Sequence, residues 1–306
     1  MERSRTKITS HQEENMKLLN RKTSASDHSR VTESLRAMVI AAFTFTACVS
    51  AVPSASAQAN GANTKDFVAP TVFQAAGPGA AAIQSTVDQF RAALGITNNG
   101  NNPGPLGSGH REINWDGGGS TATSPGPTPF TVFLNSRGAN ITTPGSGFVQ
   151  APPSGLATTF GNSTYADIFK TFSPVRLFSP VGSNVTEVEF FVPGAGNVPA
   201  TVSGFGTVLT DVDLPDGSGP ATKNGNRHAS TLLEFFGADG RLLFSAFAPS
   251  SPGDGNLSFF GVKFADARIA RVRITTGNAR PGVNDAGRTD IVMMDDFVYG
   301  EPTPVQ

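Results

Sequence analysis

The chain of 306 residues has one cysteine, Cys48, one tryptophan, Trp115, two tyrosines and four histidines. Each scarcity excludes a class of chemistry. With a single cysteine there is no disulfide framework and no Cys-based metal site within the chain. After position 57 only His110 and His228 remain, each in a Gly/Asn-rich stretch, and no Gly-x-Ser-x-Gly pattern occurs. The sequence therefore pairs no nucleophile with a base, and both histidines read as solvated loop residues. Clustered positive charge is also missing. Of 23 basic and 24 acidic residues, 8 and 5 lie in positions 1–57, leaving 15 and 19 and a net charge of −4 for the rest. That balance suits solubility and argues against nucleic acid or an anionic membrane as partner.

One long apolar run is present. It follows Arg36, extends from Met38 to Val52, and ends in Ala55-Ser56-Ala57. Its length suits a signal h-region better than a bilayer span, and small residues at the first and third positions before the cut are what signal peptidase accepts. Export is expected, with the mature chain starting at Gln58 and a leader over 1–57. Met16 is an equally good initiator, since it leaves a shorter basic n-region. Phe45-Thr46-Ala47-Cys48 is only a distant match to a lipoprotein box, because Phe45 stands where an aliphatic residue is usual. No second apolar run follows, so no membrane span is expected beyond residue 57.

The remaining 249 residues, 306 less 57, suit one large β domain with an N-terminal appendage. Residues 58 to about 77 are small or polar and read as a loose lead-in. Ile83, Val87, Phe90 and Leu94 then recur at helical spacing, with Pro78 near the start and Gly95 placed to cap the end. Positions 96–129 are rich in Asn, Gly and Pro, which gives the appendage boundaries of 58–129. From Phe130 short strand-like segments alternate with turns: 131–134, 167–169, 186–192, 201–209, 230–236, 241–247, 257–264, 269–275 and 290–299. Val188, Phe190 and Val192 alternate with Glu187 and Glu189, while Val272 and Ile274 alternate with Arg271 and Arg273. Gly237-Ala238-Asp239-Gly240 between two apolar runs predicts a hairpin. The expected architecture is an all-β antiparallel sandwich over 130–300, one N-terminal helix, long Gly/Asn/Pro-rich loops and a tail over 301–306. Of 26 aromatics 23 are Phe, which has no polar handle and belongs in a core.

The phrases Gly204-Phe205-Gly206-Thr207-Val208-Leu209-Thr210-Asp211-Val212-Asp213, Leu233-Glu234-Phe235-Phe236-Gly237-Ala238-Asp239-Gly240, Phe259-Phe260-Gly261-Val262 and Met294-Asp295-Asp296-Phe297-Val298-Tyr299-Gly300 carry a resemblance. In that order they resemble the jelly-roll domains of exported bacterial proteins, many of which end in a PEP-CTERM sorting tail. The resemblance covers about 180–300. It implies a fold similar to galactose-binding-like or other carbohydrate-binding jelly rolls, and says little of function. Glu301-Pro302-Thr303-Pro304 looks like the start of the Pro-rich linker of that group. The apolar span and basic tail that should follow are not in the sequence, so retention by that system is not implied.

Candidate chemistry is concentrated in His110–Asp116. There Trp115 is available to stack on a sugar, with Arg111, Glu112, Asn114 and Asp116 as hydrogen-bonding groups, and a core plug is the alternative reading for the ring. A calcium site is expected from Asp211, Asp213, Asp295 and Asp296, at strand ends where hard cations find oxygen ligands; turn formation by Asp is the alternative. Glycoside chemistry needs two convergent carboxylates, for which Glu112, Asp116, Glu187, Glu189 and Glu234 are candidates that the sequence does not pair. The reading that results is an exported, non-enzymatic binding or surface-interaction protein, with a glycan as the expected ligand. An extracellular polysaccharide hydrolase or lyase and a purely structural matrix protein are the alternatives.

Overall fold

The computed structural model describes residues 69–214, 230–282 and 289–305. The leader, Cys48, the Ala57–Gln58 junction and His228 lie outside them. In chain order the elements are β1 (Thr71–Pro78), α1 (Ala80–Leu94), β2 (His110–Ile113), β3 (Ser124–Gly126), α2 (Leu134–Arg137), β4 (Ala139–Thr142), β5 (Gly147–Ala151), α3 (Pro153–Phe160) and α4 (Tyr165–Ile168). There follow β6 (Leu177–Val181), β7 (Val185–Phe190), β8 (Ala200–Thr201), β9 (Gly204–Thr210), β10 (Leu232–Phe236), β11 (Leu242–Phe247), β12 (Asn256–Lys263), β13 (Arg271–Thr275), β14 (Met293–Gly300) and β15 (Thr303–Pro304).

The protein is mostly β, and two antiparallel sheets form a sandwich. The larger is ordered β1-β12-β9-β14-β6-β5-β3, with β2 also paired to β14; the smaller is β11-β10-β13-β7-β4. Their facing sides enclose the main core. Val188, Phe190, Leu233, Phe235, Val272 and Ile274 of the smaller sheet meet Phe178, Phe205, Phe260 and Phe297 of the larger, all buried. Period-2 alternation sets this directly, since β7, β10 and β13 bury every second residue. β10 and β11 form the hairpin through Gly237–Arg241, with Gly240 at φ 75° where a turn needs a left-handed residue.

The larger sheet is covered on its other face as well. Ile83, Val87, Phe90 and Leu94 of α1 pack on Val208, Leu257, Phe259 and Val298. Beside them Leu156, Phe160 and Tyr165 of α3 and α4 pack on Val149, Leu177 and Met293. With both faces covered, β9 and β14 bury every residue they contain. α1 approaches closely because Gly206 and Gly261, partners across β9 and β12, leave a notch for the Phe90 ring. A Cβ on Gly206 would lie 2.9 Å from that ring.

Several expected elements differ. The lead-in before residue 78 contains edge strand β1, paired over its whole length with β12, because α1 folds back on the sheet and carries the preceding chain with it. Pro78 ends β1, and Gly79 precedes the helix. Segments 131–134 and 167–169 are not strands; each leads into or lies in a short helix, α2 or α4. Strands β1, β2 and β3 all join the larger sheet, so 58–129 supplies sandwich strands as well as the helix. Glu301 is buried and β15 pairs with β8, so the fold runs past residue 300.

Removing the Phe90 ring leaves a large cavity, so Phe90→Ala is expected to lower stability by about 3–5 kcal/mol. Gly206→Ala should cost about 1–3 kcal/mol by overfilling the same notch. Urea unfolding of the two variants measures both.

Candidate functional site

The segment His110–Asp116 has a structural task. Its first four residues are β2, paired with Phe297–Gly300 of β14. Arg111 is fully buried, and its Nε and Nη2 donate to the two Glu301 carboxylate oxygens at 2.7 Å each. Its Nη1 donates to the carbonyls of Gly100 and Ser136. Glu112 receives Arg91 through both oxygens, at 2.7 and 3.0 Å, and His110 Nε2 lies 2.9 Å from it. Burial pushes the Glu112 carboxyl up, but the bonds from His110 and Arg91 outweigh this and hold it below its usual range. His110 is itself buried, with Nδ1 against the Gly95 carbonyl, so it is not a solvated loop residue.

Trp115 corrects the expected ligand-facing ring. It is 1% exposed, stacked on Phe178 with centroids 3.8 Å apart and edge-on to Phe297. Its Nε1 donates to the Asp295 carbonyl at 2.9 Å. A sugar could not reach the ring without opening the sandwich. Asp116 accepts the backbone N–H groups of Val175 and Arg176. Of the five residues expected to contact ligand, only Asn114 is exposed.

The four aspartates expected to share calcium are divided between two places. Asp295 and Asp296 occupy the register shift between Met294 and Phe297 in β14. Ser173 lies between them and Asp116, its hydroxyl 2.6 Å from Asp296 and 3.3 Å from each of the other two carboxylates. One hydroxyl proton cannot serve three acceptors. Burial, then the neighbouring Asp296 charge, pushes Asp295 well above its usual range, and burial raises Asp296 too. Asp211 and Asp213 instead follow β9. With Asp254 and Thr289 they line a cleft of about 230 Å³. Asp213 accepts the Gly253 N–H, and Asp290 accepts the N–H groups of Asp213 and Leu214. These are turn-forming contacts. Among the described residues, no group of three or more His, Cys, Asp or Glu side chains is arranged to hold a metal ion.

No protein-family model matches the chain, and it has no significant match among curated proteins or solved structures.

What remains open is the outer face of the smaller sheet. Two cross-strand rows lie on it. One runs Phe236, Arg271, Glu189, Asn140 and the other Glu234, Arg273, Glu187, Thr142. The Arg271 guanidinium sits 4.1 Å from the Phe236 ring centroid. Glu187 accepts from both Arg271 and Arg273, and Asn140 donates to Glu189 while its own Oδ1 has no hydrogen-bond partner. The signal was in the sequence as two alternating strands of opposite charge, but their shared register was not. Of the carboxylates considered for glycoside chemistry, Glu112 and Asp116 lie in the buried network and Glu187, Glu189 and Glu234 on this outer face.

Asp290 provides a pH test. Burial raises its carboxyl from the ordinary 3.8 to about 6. A folded-state value above the unfolded one contributes stability that is complete below pH 4 and is lost as pH rises through 6. Denaturant midpoints measured between pH 4 and 7 should therefore fall less steeply in Asp290→Asn than in the wild type.

Proposed function

We propose that this is an exported, non-enzymatic surface-interaction protein that binds an extracellular glycan on the outer face of its smaller sheet. The sandwich is read as a variant of the jelly roll of the exported bacterial proteins it resembles. The observation that carries the reading is the pair of rows around Phe236, Arg271 and Arg273. Polyhydroxylated ligands want paired donors and acceptors beside apolar area, and this face sets its arginines and glutamates beside the half-buried Phe236. Two arginines stand among three glutamates there, so the face selects neither a polyanion nor a polycation. Among the described residues, no helix is long and apolar enough to cross a membrane. A structural matrix role is the second reading, favoured by the burial of Trp115, which leaves the expected loop site without its aromatic anchor. The hydrolase or lyase alternative has less support, because Glu112 and Asp116 are engaged by internal partners and, on the outer face, Glu187 is held by Arg271 and Arg273 and Glu189 by Asn140.

Two measurements test this. Intact mass of the exported protein should place its first residue at Gln58; a lipid-modified Cys48 would reject that processing. On a glycan array, Phe236→Ala and Arg273→Ala should each weaken binding about tenfold, the effect of losing one 1.4 kcal/mol contact. Retention of full affinity by both variants would remove the face from consideration, and an array on which the wild type binds nothing would favour the matrix role.

A further inference from the structure

Five strands of the two sheets have an edge that pairs with no other strand, and four have some protection against pairing with another chain. On β2, His110 exchanges backbone hydrogen bonds with Thr97 and Asn99. β3 has only three residues, one of them Pro125. β4 is met on its free side by Phe130, which exchanges backbone hydrogen bonds with Ile141. β1 lies between Pro70 and its own last residue, Pro78, and packs under α1. β11 has none of these. Its six residues, Leu-Leu-Phe-Ser-Ala-Phe, include no charge and no proline, and among the described residues nothing pairs with its outer edge. Natural sheets normally blunt such an edge, because its unpaired N–H and C=O groups template another strand.

The apolar side chains of β11 are also incompletely covered. Leu242 is 47% exposed. Leu243, Phe244 and Ala246 reach the main core yet stay only partly buried, whereas Leu233 and Phe235 on the adjacent β10 are fully buried. The bulge at Leu243 lies at the start of the strand and leaves Phe244–Phe247 in unbroken register with β10. An added strand would satisfy the edge and flank these side chains.

We propose that the occupant is a second copy of this chain, with β11 pairing antiparallel to β11 about a two-fold axis and joining the two five-stranded sheets into one. Three features single out a copy. An antiparallel pair of identical strands is self-complementary and closes at two. β11 brings no like charges face to face, so self-pairing carries no electrostatic penalty. The flanking Arg241 residues fall at opposite ends of the paired strands, about 24 Å apart at about 3.4 Å per residue, and do not meet. The inference is independent of the glycan reading.

Sedimentation of the exported protein at micromolar concentration should give a dimer, and Leu242→Lys/Ser245→Lys should give a monomer with an unchanged far-UV spectrum. Val72→Lys/Gln74→Lys, the same change on the exposed β1 edge, should leave the dimer intact. Hydrogen exchange on the wild type gives a reading that needs no variant: amides of Leu242–Phe247 should gain protection as concentration rises. A wild-type monomer, a dimer that survives the β11 substitutions or dissolves with the β1 pair, or concentration-independent exchange in β11 would each overturn the proposal.

Discussion

β14 imposes the constraint on which the rest of the structure depends. All eight of its residues are buried, two of them are aspartates, and the next residue, Glu301, is buried as well. A carboxylate removed from water costs several kcal/mol unless it is paired, hydrogen-bonded or neutralised by a proton. Each of the three finds a different remedy. Glu301 receives the Arg111 fork, the Asn99 amide and the Leu106 N–H. Asp296 receives the Ser173 hydroxyl and lies 3.6 Å from Arg91. Asp295 accepts the Phe172 N–H through one oxygen, and its raised pKa favours the neutral acid. The loops that look irregular in sequence are the ones that bring these partners in.

That requirement explains why the sequence misled about the site. Arg111, Glu112, Trp115 and Asp116 stand together in a Gly-rich stretch, the usual appearance of a binding loop. Buried polar satisfaction draws on the same residue types as ligand recognition, and local sequence does not distinguish them. The partners that decide the matter are distant: Arg111 meets Glu301 190 positions away, and Trp115 meets Asp295 180 positions away. Locally written features were legible. The stripe of α1, the alternation of β7 and β13 and the β10–β11 turn follow from spacing alone. What failed were elements whose conformation is decided by distant contacts, such as β1, where Val72 and Phe73 are followed by small residues and the strand forms by pairing with β12.

The sandwich is asymmetric, and the asymmetry places its surface chemistry. Helices cover the back of the larger sheet, so β9 and β14 are buried on both faces and have no side chain to offer to solvent. The smaller sheet has one buried face, and β7, β10 and β13 alternate strictly. Every Arg and Glu on β7, β10 and β13 therefore points outward, and their registers align in rows. A one-residue slip of β13 would bury the charges of Arg271 and Arg273 and expose Val272 and Ile274, so register here is strongly specified.

Register is specified least at the end of that sheet. β10 is fixed by partners on both sides, with Leu233 and Phe235 fully buried, whereas β11 has one partner, a bulge and half-covered side chains. Selection against aggregation ordinarily removes an uncharged six-residue edge of this kind, since a single lysine suffices to protect it. The chain carries its charges immediately outside the strand, at Asp239 and Arg241, and none within it. An uncharged edge that starts directly after a charged turn is the pattern expected where pairing is used, because the strand stays adhesive while the turn remains solvated.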